Sequence, residues 1–251
     1  VKIQSSLGEI DLTTFRKEKY DFPAALPIVS KGTIEDDLSR RDFTINAMAI
    51  PLSNKTDGEL IDPFNGRQDL SNGLLRVLHS KSFIDDPTRI LRGIRYKCRF
   101  GFEWDPSTKQ LLNNSKKYIK HLSGDRIRNE LVRVFSESLV SDMLFELNIL
   151  RIWESFEPNL SFQDYSFSEL FEFLDSGNYS REDRNLILVG FLASLLISKS
   201  ERETFKSILN MDKAWIKITD SVGILFDLSN NDSLSNYKLL VSKIKNIPAR
   251  F

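Results

Sequence analysis

Residues 36–50 read DDLSRRDFTINAMAI, from Asp36 to Ile50. Three carboxylates and two arginines crowd into the first seven positions, and an apolar run of mostly small residues follows at once. A run such as Ile45-Asn46-Ala47-Met48-Ala49-Ile50 needs burial, so it pins the charged residues before it to a rigid element, which is how site residues are held in place. Asp37 is expected to cap a short helix whose first turn holds Arg40 and Arg41. Asp42 is expected to orient one of those arginines, with Asn46 one turn further along the same side. The plainer reading is an ordinary capped helix with surface ion pairs, which contribute little.

A second stretch has the same character. Asp85–Tyr96 reads DDPTRILRGIRY. Pro87 suits the first turn of a helix, and Asp85 or Asp86 suits its N-cap. Arg89, Arg92 and Arg95 step by three, while Ile90, Leu91 and Ile94 can face a core. Three guanidiniums on one stripe repel unless anions sit between them, and a triphosphate or an RNA backbone supplies such anions. Asp86 and Arg89, one turn apart, set an acceptor beside donors, as reading a base edge requires. An N-cap followed by surface arginines is the alternative.

Further out, the basic residues Arg89, Arg92, Arg95, Lys97, Arg99, Lys109, Lys116, Lys117, Lys120, Arg126, Arg128 and Arg133 face only Glu103, Asp105, Asp125 and Glu130 over residues 89–133. That local excess is the footprint of a phosphate-binding surface. It stands out because the whole chain of 251 residues balances 35 basic against 35 acidic side chains, so global charge steers nothing. Cys98 is the single cysteine, which excludes a disulfide framework and a cysteine-based metal site and fits a reducing compartment such as the cytoplasm. The longest apolar run, Leu186–Ile197 (LILVGFLASLLI), is shorter than the roughly 20 residues a membrane span needs and reads as a buried helix.

The pattern divides the chain. Residues 1–15 alternate apolar and polar around Ser-Leu-Gly, as two strands joined by a turn do, with Asp11, Thr13 and Phe15 on one face of the second strand. The strand pattern begins at Val1 itself, which suggests that an N-terminal part precedes it. Arg16–Lys31, with Pro23 and Pro27, reads as a loop. Turn-forming Gly, Asn and Asp punctuate residues 51–78. From Phe83 onward the pattern is helical, and DYSFSELFEFLD (164–175) joins LILVGFLASLLI as a bundle helix. The expected fold is α+β: a small mixed part at residues 1–80, then an all-helical neck at 81–135 and an all-helical body at 136–251.

These residues carry a family resemblance. DLSRRDFTINAMA resembles the arginine-rich motif of class II tRNA nucleotidyltransferases, the CCA-adding enzymes, and of the related bacterial poly(A) polymerases. IDPFNGRQDL (Ile61–Leu70) resembles their flexible joint after the catalytic palm, and DDPTRILRGIRYKCRFGF their base-selecting motif. RIRNEL (Arg126–Leu131) resembles the motif that braces it, and EIDLTTFR the late palm strand with the third catalytic carboxylate. Asp85 stands where that family usually has Glu.

The resemblance implies a partial polymerase-β-like palm followed by neck and body helices that grip tRNA. It implies Asp11 as a catalytic, metal-binding carboxylate. Arg40 and Arg41 would contact the nucleotide's phosphate or ribose. Asp86 and Arg89 would hydrogen-bond the base of CTP or ATP, with Arg92 and Arg95 on the triphosphate. Asp42, Asn46, Asp85, Arg126 and Glu130 would support them. Lys116, Lys117, Lys120, Arg128 and Arg133 would contact RNA at the tRNA 3′ acceptor end. The implied reaction transfers a nucleotide from CTP or ATP to that end with release of pyrophosphate. Mg²⁺ is the implied cofactor, commonly as two ions about 3.5–4 Å apart. The family's paired Asp-x-Asp carboxylates do not precede Asp11 here. Either they lie outside this sequence, in the same or a separate chain, or the chain is a catalytically inactive relative that binds nucleotide and RNA.

Overall fold

A computed structural model describes residues 1–6, 8–52, 58–157, 160, 179–196 and 198–228. The strands come first: β1 (Lys2–Ser5), β2 (Gly8–Asp11), β3 (Arg16–Lys19) and β4 (Ile28–Lys31). β1 and β2 pair antiparallel with Lys2 opposite Asp11, as the alternating pattern implied. β3 and β4 also form an antiparallel pair, with Arg16 opposite Lys31. The expectation of a loop over Arg16–Lys31 is therefore corrected. Most side chains of both strands are exposed, so no apolar alternation marks them, and the two prolines fall in the connection rather than in the strands.

Helix α1 (Ile34–Ser39) follows, then a 3-10 turn at Thr44–Asn46 and α2 (Gly66–Ser71). The short strand β5 (Leu74–Leu75) leads to α3 (Ser82–Asp85) and α4 (Thr88–Phe100). The strand β6 (Glu103–Trp104) pairs parallel with β5, a small interruption of the otherwise helical second part. Then come α5 (Pro106–Ser115), a 3-10 turn at Lys116–His121, α6 (Gly124–Phe135), α7 (Val140–Ile149) and α8 (Trp153–Phe156). Helices α9 (Arg181–Ser194), α10 (Lys199–Ile208) and α11 (Lys213–Leu228) complete the described chain. α9 carries most of LILVGFLASLLI, buries Ile187 to Ala193, and packs on α11. DYSFSELFEFLD lies outside the described residues, as do 229–251.

One contiguous apolar cluster runs from Phe43 and Trp104 through α4 and α6 to Phe191, Phe205 and Trp215. Phe43 sits at its near end, fully buried between Tyr96 and Trp104 with ring centroids at 5.9 and 6.2 Å. α4 reaches this pair because residue 93 is glycine. A Cβ there would lie 2.2 Å from Trp104 Cη2 and 2.8 Å from Phe43 Cζ. Burial of each such aromatic contributes about 1.5–3 kcal/mol, which is what holds the charged stretch beside Phe43 against the helical core.

A buried polar cluster reinforces that junction. Thr44 donates to Asp69 Oδ2 at 2.7 Å, and Arg76 bridges Asp69 (3.0 Å) and Asp105 (2.7 Å). The joint motif is tight: Asp62 accepts from the Gly66 and Arg67 amides at 2.7 and 2.9 Å, and a Cβ on Gly66 would meet the Thr44 carbonyl oxygen at 2.2 Å.

Candidate nucleotide-binding site

The stretch 33–46 folds differently from its simplest reading. Thr33, not Asp37, is the N-cap of α1, in a capping box with Asp36. The helix ends at Ser39, so Arg40 and Arg41 leave its C-terminal end rather than fill its first turn. Asp37 lies inside the helix, buried, and accepts from Arg40 Nη2 at 2.7 Å, Arg40 Nε at 3.0 Å and Arg41 Nη2 at 3.1 Å. Burial works to raise the Asp37 carboxyl, but the bonds and charge of Arg40, with Arg41, outweigh it and hold the carboxyl below its usual range. Asp37 thus orients both arginines, where the sequence reading had Asp42 orienting one of them.

Asp42 faces α4 instead. Its carboxylate meets Arg92 Nη2 at 2.5 Å and lies 3.6 Å from Arg89 Nε. Phe43 is extended (φ −136°, ψ 157°). The alternation of an extended segment sends Phe43 into the core and leaves Asp42 on the polar side. Arg89 is buried: Nη1 donates to Ser82 Oγ at 2.7 Å and Nη2 to the Arg40 carbonyl at 2.6 Å. That last bond satisfies a carbonyl left open where α1 ends, and it ties the arginine-rich stretch to α4.

Asp86 lies between α3 and α4 and is not the N-cap expected of it: Pro87 holds that position, without a side-chain cap bond, while the Asp86 carboxylate accepts from the Thr88 amide at 3.0 Å and the Thr88 hydroxyl at 2.5 Å. Arg126 of α6 braces the same oxygen, Oδ1, at 2.7 Å. Oδ2 has no hydrogen-bond partner among the described residues and remains available to a donor.

Arg40, Arg41, Asp42, Asn46, Asp86, Arg89 and Arg92 line one cavity of about 420 Å³, completed by Arg16, Glu18, Tyr20, Pro27 and Tyr96. Five arginines against three carboxylates make its lining cationic, which suits a polyphosphate.

Arg95 is elsewhere. It pairs with Glu137 at 3.1 Å and Glu130 at 3.5 Å and does not line the cavity. Steps of three residues drift by about 60° each around a helix of 3.6 residues per turn, so Arg95 sits about 120° from Arg89. Glu130 is buried on α6 between Arg95 and Arg133 (3.2 Å), and burial raises its carboxyl despite those charges. Asp85 ends α3 outside the cavity lining.

The basic stretch is partly spent on structure. Lys116 donates to the Leu150 carbonyl at 3.0 Å. Arg128 pairs with Asp125 at 2.8 Å and donates to the Asn210 carbonyl, which ties α6 to the α10–α11 connection. Arg133 pairs with Glu130, and Arg99 with Glu137. Lys109 and Lys120 remain exposed without a partner among the described residues, and Lys117 lies 5.4 Å from the Tyr118 ring centroid.

Asp11 stands at the exposed end of β2, outside the cavity lining. Among the described residues no three His, Cys, Asp or Glu side chains gather where they could hold a metal. These residues by themselves do not build the two-metal site that the resemblance implies.

Glu18, Tyr20 and Tyr96 had no place in the sequence reading. A signal existed for the first two: Arg16, Glu18 and Tyr20 alternate along a strand and share one face.

Two antiparallel strand pairs, a charged joint and a carboxylate and guanidinium brought together at the start of a long helix are the features to set beside the nucleotidyltransferases. Residues 1–76 match the Poly A polymerase head domain, and residues 101–162 match the probable RNA- and SrmB-binding site of polymerase A. An A-adding tRNA nucleotidyltransferase of Halalkalibacterium halodurans is 43% identical over 154 residues, covering 59% of this chain and 35% of that protein. A Multifunctional CCA protein of Laribacter hongkongensis is 44% identical over 108 residues, covering 42% and 25%. Among solved structures, a tRNA nucleotidyltransferase complexed with a primer tRNA and an incoming ATP analog superposes with TM-score 0.62 at 26% identity, over 86% of this chain and 72% of that one. A CCA-adding enzyme with CTP gives 0.65 at 27% identity, over 84% and 56%. The chain belongs to the class II tRNA nucleotidyltransferase family. It spans 18–35% of the length of the A-adding relatives it matches. No helix among the described residues is long and apolar enough to cross a membrane.

Proposed function

We propose that this chain forms the nucleotide-selecting and RNA-holding part of a tRNA nucleotidyltransferase. The enzyme transfers AMP, CMP or both from ATP and CTP to the tRNA 3′ acceptor end and releases pyrophosphate. One observation carries the reading: Arg40 and Arg41 after α1 and Asp86, Arg89 and Arg92 at α4, with α2, β5 and α3 between them in sequence, converge on one cationic cavity. Asp86 Oδ2 accepts from an exocyclic amine, which adenine (N6) and cytosine (N4) both carry at the position where guanine and uracil carry a carbonyl oxygen. Arg89 supplies donors beside it, and Arg40, Arg41 and Arg92 face the phosphates. Relatives named A-adding favour AMP, and those named CCA proteins keep CMP open.

In this reading residues 1–80 are the remainder of the palm, 81–135 the base-selecting neck and 136–251 the RNA-binding body of a cytoplasmic enzyme. Family chemistry uses divalent metal ions, and Mg²⁺ suits carboxylate oxygens. Asp11 would share it with carboxylates outside this sequence, in the same polypeptide or a separate chain. The chain's own residues bind and orient: Arg126 holds Asp86, Asp37 holds Arg40 and Arg41, and Asp42 holds Arg92.

Equilibrium binding of ATP, CTP, GTP and UTP to the chain tests this. ATP, CTP or both are expected to bind at least about tenfold tighter than GTP and UTP, the worth of one well-placed base contact. Arg89→Ala is expected to narrow the differences. Asp86→Asn is the companion variant, because it leaves the buried bonds of Arg89 intact. Four equal affinities in the wild-type chain refute the reading.

A further inference from the structure

We propose that Glu18 is a positioning residue of this pocket: from the β3–β4 hairpin it holds the Arg40 guanidinium and the Tyr20 ring against a bound nucleoside triphosphate. The inference rests on the nucleotide reading above and extends it to a hairpin with no assigned role.

Ala24 and Ala25 in the hairpin's connection are buried, whereas its paired strands face solvent, with Lys17, Lys19, Ile28 and Val29 exposed. Glu18 is the exception, its side chain only 5% exposed. Taking a carboxylate out of water costs several kcal/mol unless donors surround it. Here they do. Oε1 accepts from Arg16 Nε at 3.0 Å and from Arg40 Nη1 at 3.3 Å, and Oε2 accepts from the Tyr20 hydroxyl at 2.9 Å.

Arg40 is held from two sides. Its Nε and Nη2 donate to Asp37 and its Nη1 to Glu18. A guanidinium has five donors, so two remain for a ligand in the cavity it lines. With Asp37 alone the fork would still swing about that bond. With Glu18 its plane is set before a phosphate arrives, and pre-set donors bind more tightly. The Tyr20 ring lines the same cavity with Pro27. Its hydroxyl, raised above its ordinary pKa by burial and then by the Glu18 bond, stays a neutral donor and fixes the ring as a wall.

Glu18→Gln keeps the shape and removes the charge. It is expected to weaken ATP and CTP alike by about tenfold, the worth of one charge-assisted bond, with the CTP/ATP ratio and the weak binding of adenosine unchanged. A residue that merely stabilised the fold would lower the melting temperature without separating triphosphate from nucleoside. Tyr20→Phe, which removes one hydroxyl, is expected to cost about threefold for both triphosphates. It carries the test if Glu18→Gln does not fold, and wild-type affinity in it then overturns the idea. Wild-type ATP and CTP affinity in folded Glu18→Gln, while Arg40→Ala loses tenfold or more, overturns the role of Glu18 and leaves the pocket standing. No nucleotide preference in the wild-type chain, or Arg40→Ala binding like wild type, sinks the pocket reading and this inference with it.

Discussion

Asp37→Asn is the perturbation with the clearest magnitude. Asp37 is 5% exposed and accepts two bonds from Arg40 and one from Arg41. A hydrogen bond to a charged partner contributes about 1.5–3 kcal/mol. The Arg41 side chain is 43% exposed, so its pair adds little. The Arg40 side chain is 19% exposed, so its two bonds carry the effect. Asparagine keeps one acceptor oxygen and relieves the burial of charge, which leaves a net loss of about 2 kcal/mol. The sign of the pH dependence follows from the lowered carboxyl. A depressed pKa contributes stability that is present above the unfolded value, about 3.9, and is lost as pH falls through the folded one. Urea unfolding of wild type and variant between pH 7 and pH 3 reads this out. The variant is expected to be about 2 kcal/mol less stable at pH 7, or about 4–8 °C lower in Tm. The gap is expected to narrow below about pH 4 as the wild-type carboxyl protonates. Equal stability at pH 7, or a gap that does not change with pH, would refute the argument that Asp37 anchors the arginines as a carboxylate.

Two further outcomes follow from packing and charge. Gly93→Ala should destabilise the chain: forcing a Cβ between Trp104 and Phe43 costs about 1–3 kcal/mol, more than the roughly 1 kcal/mol that alanine returns to a helix, and an unchanged urea midpoint would show that α4 can move off the aromatic pair. Binding of tRNA should weaken with salt, and removing Lys117 and Lys120 together should flatten the slope of log K against log salt by about 1.4–1.8; a slope equal to wild type would take these lysines out of the RNA contact.

Much of the site was legible in sequence because its residues are local. Asp86 and Arg89 lie one turn apart, and Pro87 marks where the helix starts, so their juxtaposition needs no tertiary information. The antiparallel pairing of β1 with β2 followed from alternation alone. Arg126 bracing Asp86, implied by the family motif, takes physical form as a 2.7 Å ion pair. What failed was reading charged residues by proximity along the chain. Asp42 looked like the partner of either Arg40 or Arg41, yet a Thr33-x-x-Asp36 capping box shifts the helix start by four residues from Asp37 and gives both arginines to Asp37. Arg95 looked like a third finger of one stripe, yet helical drift turns it toward Glu130 and Glu137.

By itself, then, the sequence determined the family, the α+β order of elements, and most of the charged residues that line the cationic cavity. Those are properties of local spacing and periodicity. Only the tertiary structure decided which charges face the cavity and which are consumed in holding it. Pairing depends on which carboxylate comes within about 3 Å of which guanidinium, and that is set by the packing of Phe43 and Gly93 against Trp104 and by a hairpin whose exposed strands leave no apolar pattern to read. Glu18 shows the difference: an ordinary residue among lysines in sequence, it is buried against Arg40, 22 residues away along the chain, only because the hairpin folds onto the end of α1.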